Sequence, residues 1–160
     1  GEPVTGLEEG RPMFLRRPDS HLGLANFMRS HLYASLATLK IGLDILLKEE
    51  DVKIDSITGH GGLFKTKGVG QSILAAAMNA PISVMETAGE GGAWGMALLA
   101  AYMLFKKDGQ SLGDYLDSRV FAERKSETME PDLADVAGFE TYTKQYQACL
   151  AAEKAAVQAF

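Results

Sequence analysis

The segment "ITGHGGLFKTKGVGQ", Ile57–Gln71, decides the fold of this chain, because a short apolar run passes through glycines and lysines into a helix. Before it, "VKIDSIT" (Val52–Thr58) alternates in polarity as a β-strand does. After it, "VGQSILAAAM" (Val69–Met78) predicts a helix that begins near Lys67 and that Asn79 and the following Pro81 end. Strand, glycine turn and helix in this order indicate an α/β protein.

A second strand and a second glycine turn follow the first. "PISVM" (Pro81–Met85) predicts the strand, and the glycines after it lead into a helix predicted over Thr87–Phe105. A long first helix is predicted over Leu24–Lys48, where apolar residues recur at helical spacing. Two strands separated by a helix should pair in parallel through a right-handed crossover. Such a pair makes a poor sheet by itself and needs further strands at its edges.

The flanking segments carry weaker signals. Residues 1–22 are rich in glycine, proline and charge, which predicts an extended loop with one short strand. A helix is predicted over Ser111–Phe121, with Ser111 as its N-terminal cap. The polar loop that follows contains Glu127 and has no binding pattern, and an alanine-rich helix is predicted from Gly138 to the C-terminus.

The composition is that of an ordinary globular domain. Of 160 residues, 46% are hydrophobic and 23% are charged, so the chain can bury a sizeable core. No apolar run approaches the ~20 residues of a membrane-spanning helix, and the first residues lack the apolar core of a signal peptide. The net charge of −5 argues against a nucleic-acid surface. The single cysteine, Cys149, excludes an internal disulfide, and a reduced cytoplasmic protein is expected.

The two glycine turns are candidate ligand sites, because open α/β sheets bind ligands beyond the carboxyl ends of their strands. Gly61 and Gly62 allow a ligand to approach the backbone, whose N–H groups suit a phosphate. Lys65 and Lys67 would add positive charge. The spacing matches neither the Walker motif nor the dinucleotide fingerprint. Glycine turns are also common structural connections, so these residues alone indicate a nucleotide or phosphate binder and nothing finer.

Three segments resemble the C-terminal half of the FGGY carbohydrate kinases, a family of the actin-like ATPase superfamily. They are "SHLYASLATLKIGLDIL" (Ser30–Leu46), "GHGGLFKTKGVGQSILAAAMNAPI" (Gly59–Ile82) and "GEGGAWGMALLAAY" (Gly89–Tyr102). The resemblance covers about residues 1–105. It implies an α/β fold that forms a partial ribonuclease-H-like lobe, with parallel strands, flanking helices and a C-terminal helical tail. Residues 1–160 would form one partial domain: a lead-in (1–23), a nucleotide-binding core (24–105) and the tail (106–160).

The resemblance implies a kinase that uses ATP and Mg²⁺ to phosphorylate a sugar. The chain looks nearest to xylulokinases and their pentulose-kinase relatives, which convert D-xylulose and ATP to D-xylulose 5-phosphate and ADP. By position, seven residues match nucleotide contacts of the family: Gly61, Gly62, Thr66, Gln71, Glu90, Ala93 and Gly95.

The catalytic aspartate of the family matches no residue here, and Asp19 beside His21 fits no catalytic motif. The base is therefore expected upstream of this chain, and sugar binding is expected on a missing N-terminal lobe. This chain alone should be inactive, and a homodimer or association with that lobe should cover its open sheet. Two alternatives stay open: a non-catalytic actin-like nucleotide-binding or assembly module, and a remnant with no function.

Overall fold

The computed structural model of the chain describes residues 3–10, 12–54, 56–86, 88–122 and 126–159. The chain divides into two compact units, one of Gly1–Asp55, Ile73–Asn79 and Pro131–Phe160, the other of Ser56–Ser72 and Ala80–Glu130. The helices are α1 (Leu24–Lys48), α2 (Val69–Met78), α3 (Gly91–Phe105), α4 (Leu112–Leu116) and α5 (Leu133–Ala159), and the strands are β1 (Ile57–Gly59), β2 (Ile82–Met85) and β3 (Ser126–Met129). Among the described helices, none is both long and apolar enough to cross a membrane.

The second unit contains a three-stranded sheet in the order β1-β2-β3. β1 and β2 are parallel, with Ile57 opposite Ile82, as the sequence predicts. β3 runs antiparallel to β2 and places Met129 opposite Ile82. The prediction of a loop at β3 is wrong, because this short polar strand is held by cross-strand bonds that no local pattern reveals. One of them joins the hydroxyls of Ser83 and Thr128 at 2.8 Å.

The long helices agree best with the sequence. α1 begins and ends at the predicted residues. α2 ends at Met78 as predicted but begins at Val69, two residues after the predicted start near Lys67, because Gly68 takes a positive φ of 79°. α2 stops where Asn79 takes a positive φ of 49°, which ends the helical path. α3 begins at Gly91, because a 3-10 turn at Ala88–Glu90 precedes it; the predicted start at Thr87 lies outside the described residues.

The later helices differ from prediction at their ends. α5 begins at Leu133, five residues before Gly138, because the Asp132 side chain accepts hydrogen bonds from the N–H groups of Ala134 and Asp135. Ser111 caps α4 as predicted by accepting a 3.1 Å bond from the Asp114 N–H. α4 then gives way to a wider π-helical turn at Asp117–Phe121.

Aromatic packing between α1 and α5 forms the core of the first unit. The Tyr33 ring lies 4.8 Å from the ring of Phe139 and 5.2 Å from that of Tyr142, and Phe139 is fully buried. Within the described part of residues 1–22 the chain forms a 3-10 turn at Pro3–Thr5, then a single bridge at the buried Leu7, and an exposed irregular path over residues 12–19. The short strand predicted there does not form in that part.

Candidate functional site

The loop after β1 folds back on itself because two of its glycines leave room for neighbours. A Cβ on Gly59 would lie 2.3 Å from the Phe64 ring, which packs against the end of the strand. A Cβ on Gly70 would lie 2.3 Å from the carbonyl oxygen of Leu63. Gly61, between them, has φ +106°, a conformation that residues with a side chain rarely adopt. The loop therefore requires glycine at all three positions.

The two glycine turns meet at one place, which we call the turn junction (residues 60–62 and 88–91). The Gly61 N–H donates a 2.7 Å hydrogen bond to the carbonyl oxygen of Ala88. A Cβ on Gly91 would lie 3.3 Å from Nδ1 of His60, so this ring rests against the start of α3. Among the described residues, no heavy atom beyond those of Gly62 and its two chain neighbours lies within 4 Å of the position a Cβ would take on Gly62. The junction thus combines a fixed backbone with open space beside Gly62.

A cleft of about 470 Å³ lies at the carboxyl end of β2, and we call it the β2 cleft. Its walls are formed by the loop that precedes α2, the first turn of α2, the end of β2 and the start of β3. The lining residues are Phe64, Thr66, Lys67, Gly68, Gln71, Val84, Met85, Glu86, Ser126 and Glu127. Both the volume and the place beside a helix N-terminus suit a small ligand.

Gln71 forms the floor of the β2 cleft and is 5% exposed. Its Nε2 donates hydrogen bonds to the carbonyl oxygens of Ile82 at 2.7 Å and of Glu127 at 2.8 Å. Both partners are acceptors, which fixes the orientation of the amide. One side chain therefore joins α2 to two neighbouring strands, and both of its N–H groups are used within the chain.

Two exposed ion pairs flank the loop. Nζ of Lys65 lies 2.7 Å from Glu90 at the turn junction, and Nζ of Lys67 lies 3.0 Å from Glu127 at the β2 cleft. The hydrogen bond and the charge of Lys65 lower the pKa of the Glu90 carboxyl below its ordinary value. A phosphate entering here would compete with a carboxylate for each lysine.

The structure divides the sequence-predicted residues between these places. Thr66 and Gln71 line the β2 cleft. Gly61, Gly62 and Glu90 lie at the turn junction. The other two predicted residues, Ala93 and Gly95, lie on the first turns of α3 and line no part of the cleft.

Sequence reasoning gave no ligand role to seven of the ten residues that line the cleft. They are Phe64, Gly68, Val84, Met85, Glu86, Ser126 and Glu127. Glu127 was predicted to lie in a loop without a binding role. Only its pairing within β3, opposite Val84, brings it beside the loop lysines. A glutamate after the second strand is the signal that could have drawn attention to Glu86.

Comparison with protein families gives a match over the part of the chain that contains this loop. The model of the FGGY family of carbohydrate kinases, C-terminal domain, matches residues 1–104, about two thirds of the chain. The chain belongs to the FGGY family of carbohydrate kinases. Every predicted nucleotide contact falls inside the matched region, whereas the FGGY match ends before β3. Searches of curated proteins and of solved structures found no match.

Membership of the FGGY family implies the use of ATP and typically of Mg²⁺. The described residues suit the nucleotide better than they suit the metal ion. The open space beside Gly62, the Thr66 hydroxyl and the lysines of the loop suit a nucleoside and its phosphates. Among the residues that the structure describes, no group of three or more His, Cys, Asp or Glu could hold a metal ion. The described part of the chain therefore fits the nucleotide and offers no protein cage for Mg²⁺.

Proposed function

We propose that this chain supplies the ATP-binding part of a cytoplasmic sugar kinase whose acceptor is a pentulose such as D-xylulose. The observation that carries the proposal is the position of the glycine loop. Within the family-matched region, the loop leaves the carboxyl end of a parallel strand and enters the N-terminus of α2. Backbone N–H groups at such a position attract phosphates.

The nucleotide would lie along the loop, from the turn junction towards the β2 cleft. Gly62 offers backbone that a flat base or a ribose can approach, and Thr66 offers a hydroxyl to the phosphates. Glu90 is a carboxylate, which suits ribose hydroxyls better than phosphates. Ala93 and Gly95, with small side chains on α3, would border the adenine. Gln71 would position the loop from beneath, because its amide N–H groups are already donated.

The proposal assigns nucleotide binding to this chain, and proton transfer to a group outside it. Phosphoryl transfer to a sugar hydroxyl needs a carboxylate base within reach of that hydroxyl. No residue of this sequence matches the aspartate that the family uses, and sugar binding belongs to the other lobe of these kinases. The chain alone should therefore bind ATP without phosphorylating D-xylulose.

Isothermal titration of ATP, ADP and adenosine, each with and without Mg²⁺, tests the proposal. Gly62→Val should abolish binding, because its branched side chain fills the open space. Gly138→Val, at an exposed and uncrowded glycine of α5, should leave nucleotide binding unchanged. Coupled detection of ADP with D-xylulose should show no turnover by the chain alone.

Two results would contradict the proposal. The first is a folded chain that gives no heat up to about 5 mM nucleotide, beyond the usual ~1 μM–1 mM range of substrate KM values. The second is binding that survives Gly62→Val unchanged, since the nucleotide would then lie elsewhere.

One observation favours a second candidate, a non-catalytic actin-like module that binds nucleotide without transferring phosphate. Both lysines of the loop are paired with glutamates, which leaves less positive charge available to a phosphate. Such a module should bind adenosine and ATP with similar affinity and without any response to Mg²⁺. A kinase part should prefer the phosphorylated nucleotides.

A further inference from the structure

The positive charge that the β2 cleft offers to a ligand is already paired with a carboxylate. Among the described residues that line the cleft, Lys67 is the one cation, and its Nζ lies 3.0 Å from Oε2 of Glu127. Lys67 belongs to the loop before α2, whereas Glu127 belongs to β3. A phosphate that enters the cleft and binds Lys67 therefore meets a carboxylate at the same amino group.

The backbone of Glu127 is held from two sides. The residue pairs with Val84 in the antiparallel ladder, and its carbonyl oxygen accepts a 2.8 Å hydrogen bond from Nε2 of Gln71. Beside it, the hydroxyls of Thr128 and Ser83 lie 2.8 Å apart. These bonds anchor the strand, so the side chain of Glu127 stays close to the loop lysine.

The two glutamates that pair with loop lysines differ in their relation to the family match. Glu90, the partner of Lys65, lies within the matched residues 1–104, as the glycine loop does. β3 lies beyond the end of the match. The family match therefore accounts for the loop and its lysines, but not for the carboxylate that pairs with Lys67.

We propose that Glu127 is a specificity-determining residue of the nucleotide site, because it competes with the phosphates of ATP for Lys67. The inference rests on the ATP site proposed above. Binding of ATP exchanges the carboxylate at Lys67 for a phosphate oxygen, and the released side chain turns into solvent. Adenosine has no phosphate and binds without this exchange. Glu127 thus narrows the difference in affinity between ATP and adenosine.

The exposure of both side chains sets the size of the effect. The side chains of Lys67 and Glu127 are 83% and 60% exposed, so solvent screens their attraction. Glu127 can therefore leave the lysine without unfolding of β3. The same screening limits what removal of the carboxylate gains, and we expect a change of about two- to fivefold in the dissociation constant of ATP.

Isothermal titration of ATP and of adenosine into Glu127→Gln, at physiological ionic strength, tests the proposal. The substitution keeps the shape of the side chain and removes its charge. The dissociation constant of ATP should fall about two- to fivefold, while that of adenosine should not change. Glu130→Gln removes the same charge at an exposed residue just beyond β3 that does not line the cleft, and it should leave both constants unchanged.

A double variant tests whether Glu127 acts through Lys67. Lys67→Gln alone should weaken ATP binding, because it removes the amino group that the phosphates take over. Adding Glu127→Gln to Lys67→Gln should then change the ATP constant by less than it does when the lysine is present. An equal change with and without the lysine overturns the proposal, since the carboxylate would then only repel phosphate from a distance.

The outcomes separate this proposal from the ATP site on which it rests. Hydrogen exchange of the Ser126–Met129 amides first shows whether Glu127→Gln retains β3. If the unchanged chain binds ATP and the folded variant binds it equally well, the role of Glu127 is overturned and the ATP site stands. If the variant tightens adenosine as much as ATP, the role is likewise overturned, because phosphates are not involved. If neither chain binds ATP, both proposals fail.

Discussion

The backbone N–H of Gly61 donates a 2.7 Å hydrogen bond to the carbonyl oxygen of Ala88. This bond joins the loop after β1 to the turn before α3, two segments that the sequence separates by a helix and a strand. The bond also occupies the Gly61 N–H, which the glycine pattern alone would suggest is available to bind a phosphate. The approach of the two turns, rather than either turn alone, gives the candidate nucleotide site its shape.

Gly59→Ala should destabilise the chain by about 1–3 kcal/mol, because the added methyl group would overlap the Phe64 ring. Urea unfolding measures the change. Gly138→Ala is the matched control, since that helical glycine has open space around it, and it should stabilise by about 0.5–1 kcal/mol. In a chain that also carries Phe64→Leu, Gly59→Ala should lower the free energy of unfolding by a smaller amount. Equal effects of the two alanine substitutions would contradict the close contact.

Gln71→Glu should release β3 from the sheet. Nε2 of Gln71 donates hydrogen bonds to the carbonyl oxygens of Ile82 and Glu127, and a glutamate carboxylate has no N–H to donate. The substitution therefore places a carboxylate oxygen against these two carbonyl oxygens. The loss should be about 1–3 kcal/mol or more, since a buried hydrogen-bonding group is left unpaired. Hydrogen exchange of the Ser126–Met129 amides measures it. Gln110→Glu, at the surface turn after α3, should leave those amides protected.

The carboxyl of Glu90 should titrate below its ordinary pKa of 4.5, because Lys65 favours the charged form. A depressed pKa in the folded chain means that the ion pair contributes stability above about pH 4.5 and loses it as the pH falls through the lower value. NMR titration of this carboxyl measures the shift. Lys65→Gln should return the pKa towards 4.5, whereas Lys67→Gln in the same loop should not.

The hydroxyl of Tyr142 should titrate at a pKa of about 12 instead of 10.0, because burial disfavours the phenolate and the charges of Tyr146 and Cys149 add to this. A pKa raised by folding contributes stability below pH 10, and that contribution is lost as the pH rises from 10 towards 12. Tyrosine absorbance during alkaline titration measures the shift.

Tyr142→Phe should remove the component of the alkaline titration near pH 12. Tyr146→Phe removes one neighbouring charge but leaves the burial, so it should lower the pKa of Tyr142 only slightly. A folded chain in which Tyr142 titrates near pH 10 would show that its ring is not buried against α1.

The ends of helices α1 and α2 were predictable to within two residues. α1 and α2 carry apolar residues at helical spacing over their whole length, and the parallel pairing of β1 with β2 followed from the helix between them. The start of α5 was missed because a side chain decides it: Asp132 caps the helix ahead of the alanine-rich run. A single capping residue outside an apolar pattern leaves little periodic signal.

The candidate site was predictable only in part, since two of the seven predicted contact residues line the β2 cleft. Thr66 and Gln71 were expected to contact the nucleotide, and they do line one cleft. Glu127, on the opposite wall, was not expected, since it lies in a polar segment without pattern. The ion pairs that neutralise Lys65 and Lys67 were equally hidden, because they join residues distant in the sequence.

The sequence by itself determined the α/β order, the glycine loop and membership of the FGGY family, because periodicity, turn chemistry and family motifs are all local properties of a chain. Only the tertiary structure decided that the two glycine turns touch, that Gln71 binds two strands, and that α3 buries none of its residues. Those features depend on which distant groups satisfy each other's hydrogen bonds and which apolar faces are left without a partner. No local stretch of sequence carries that information.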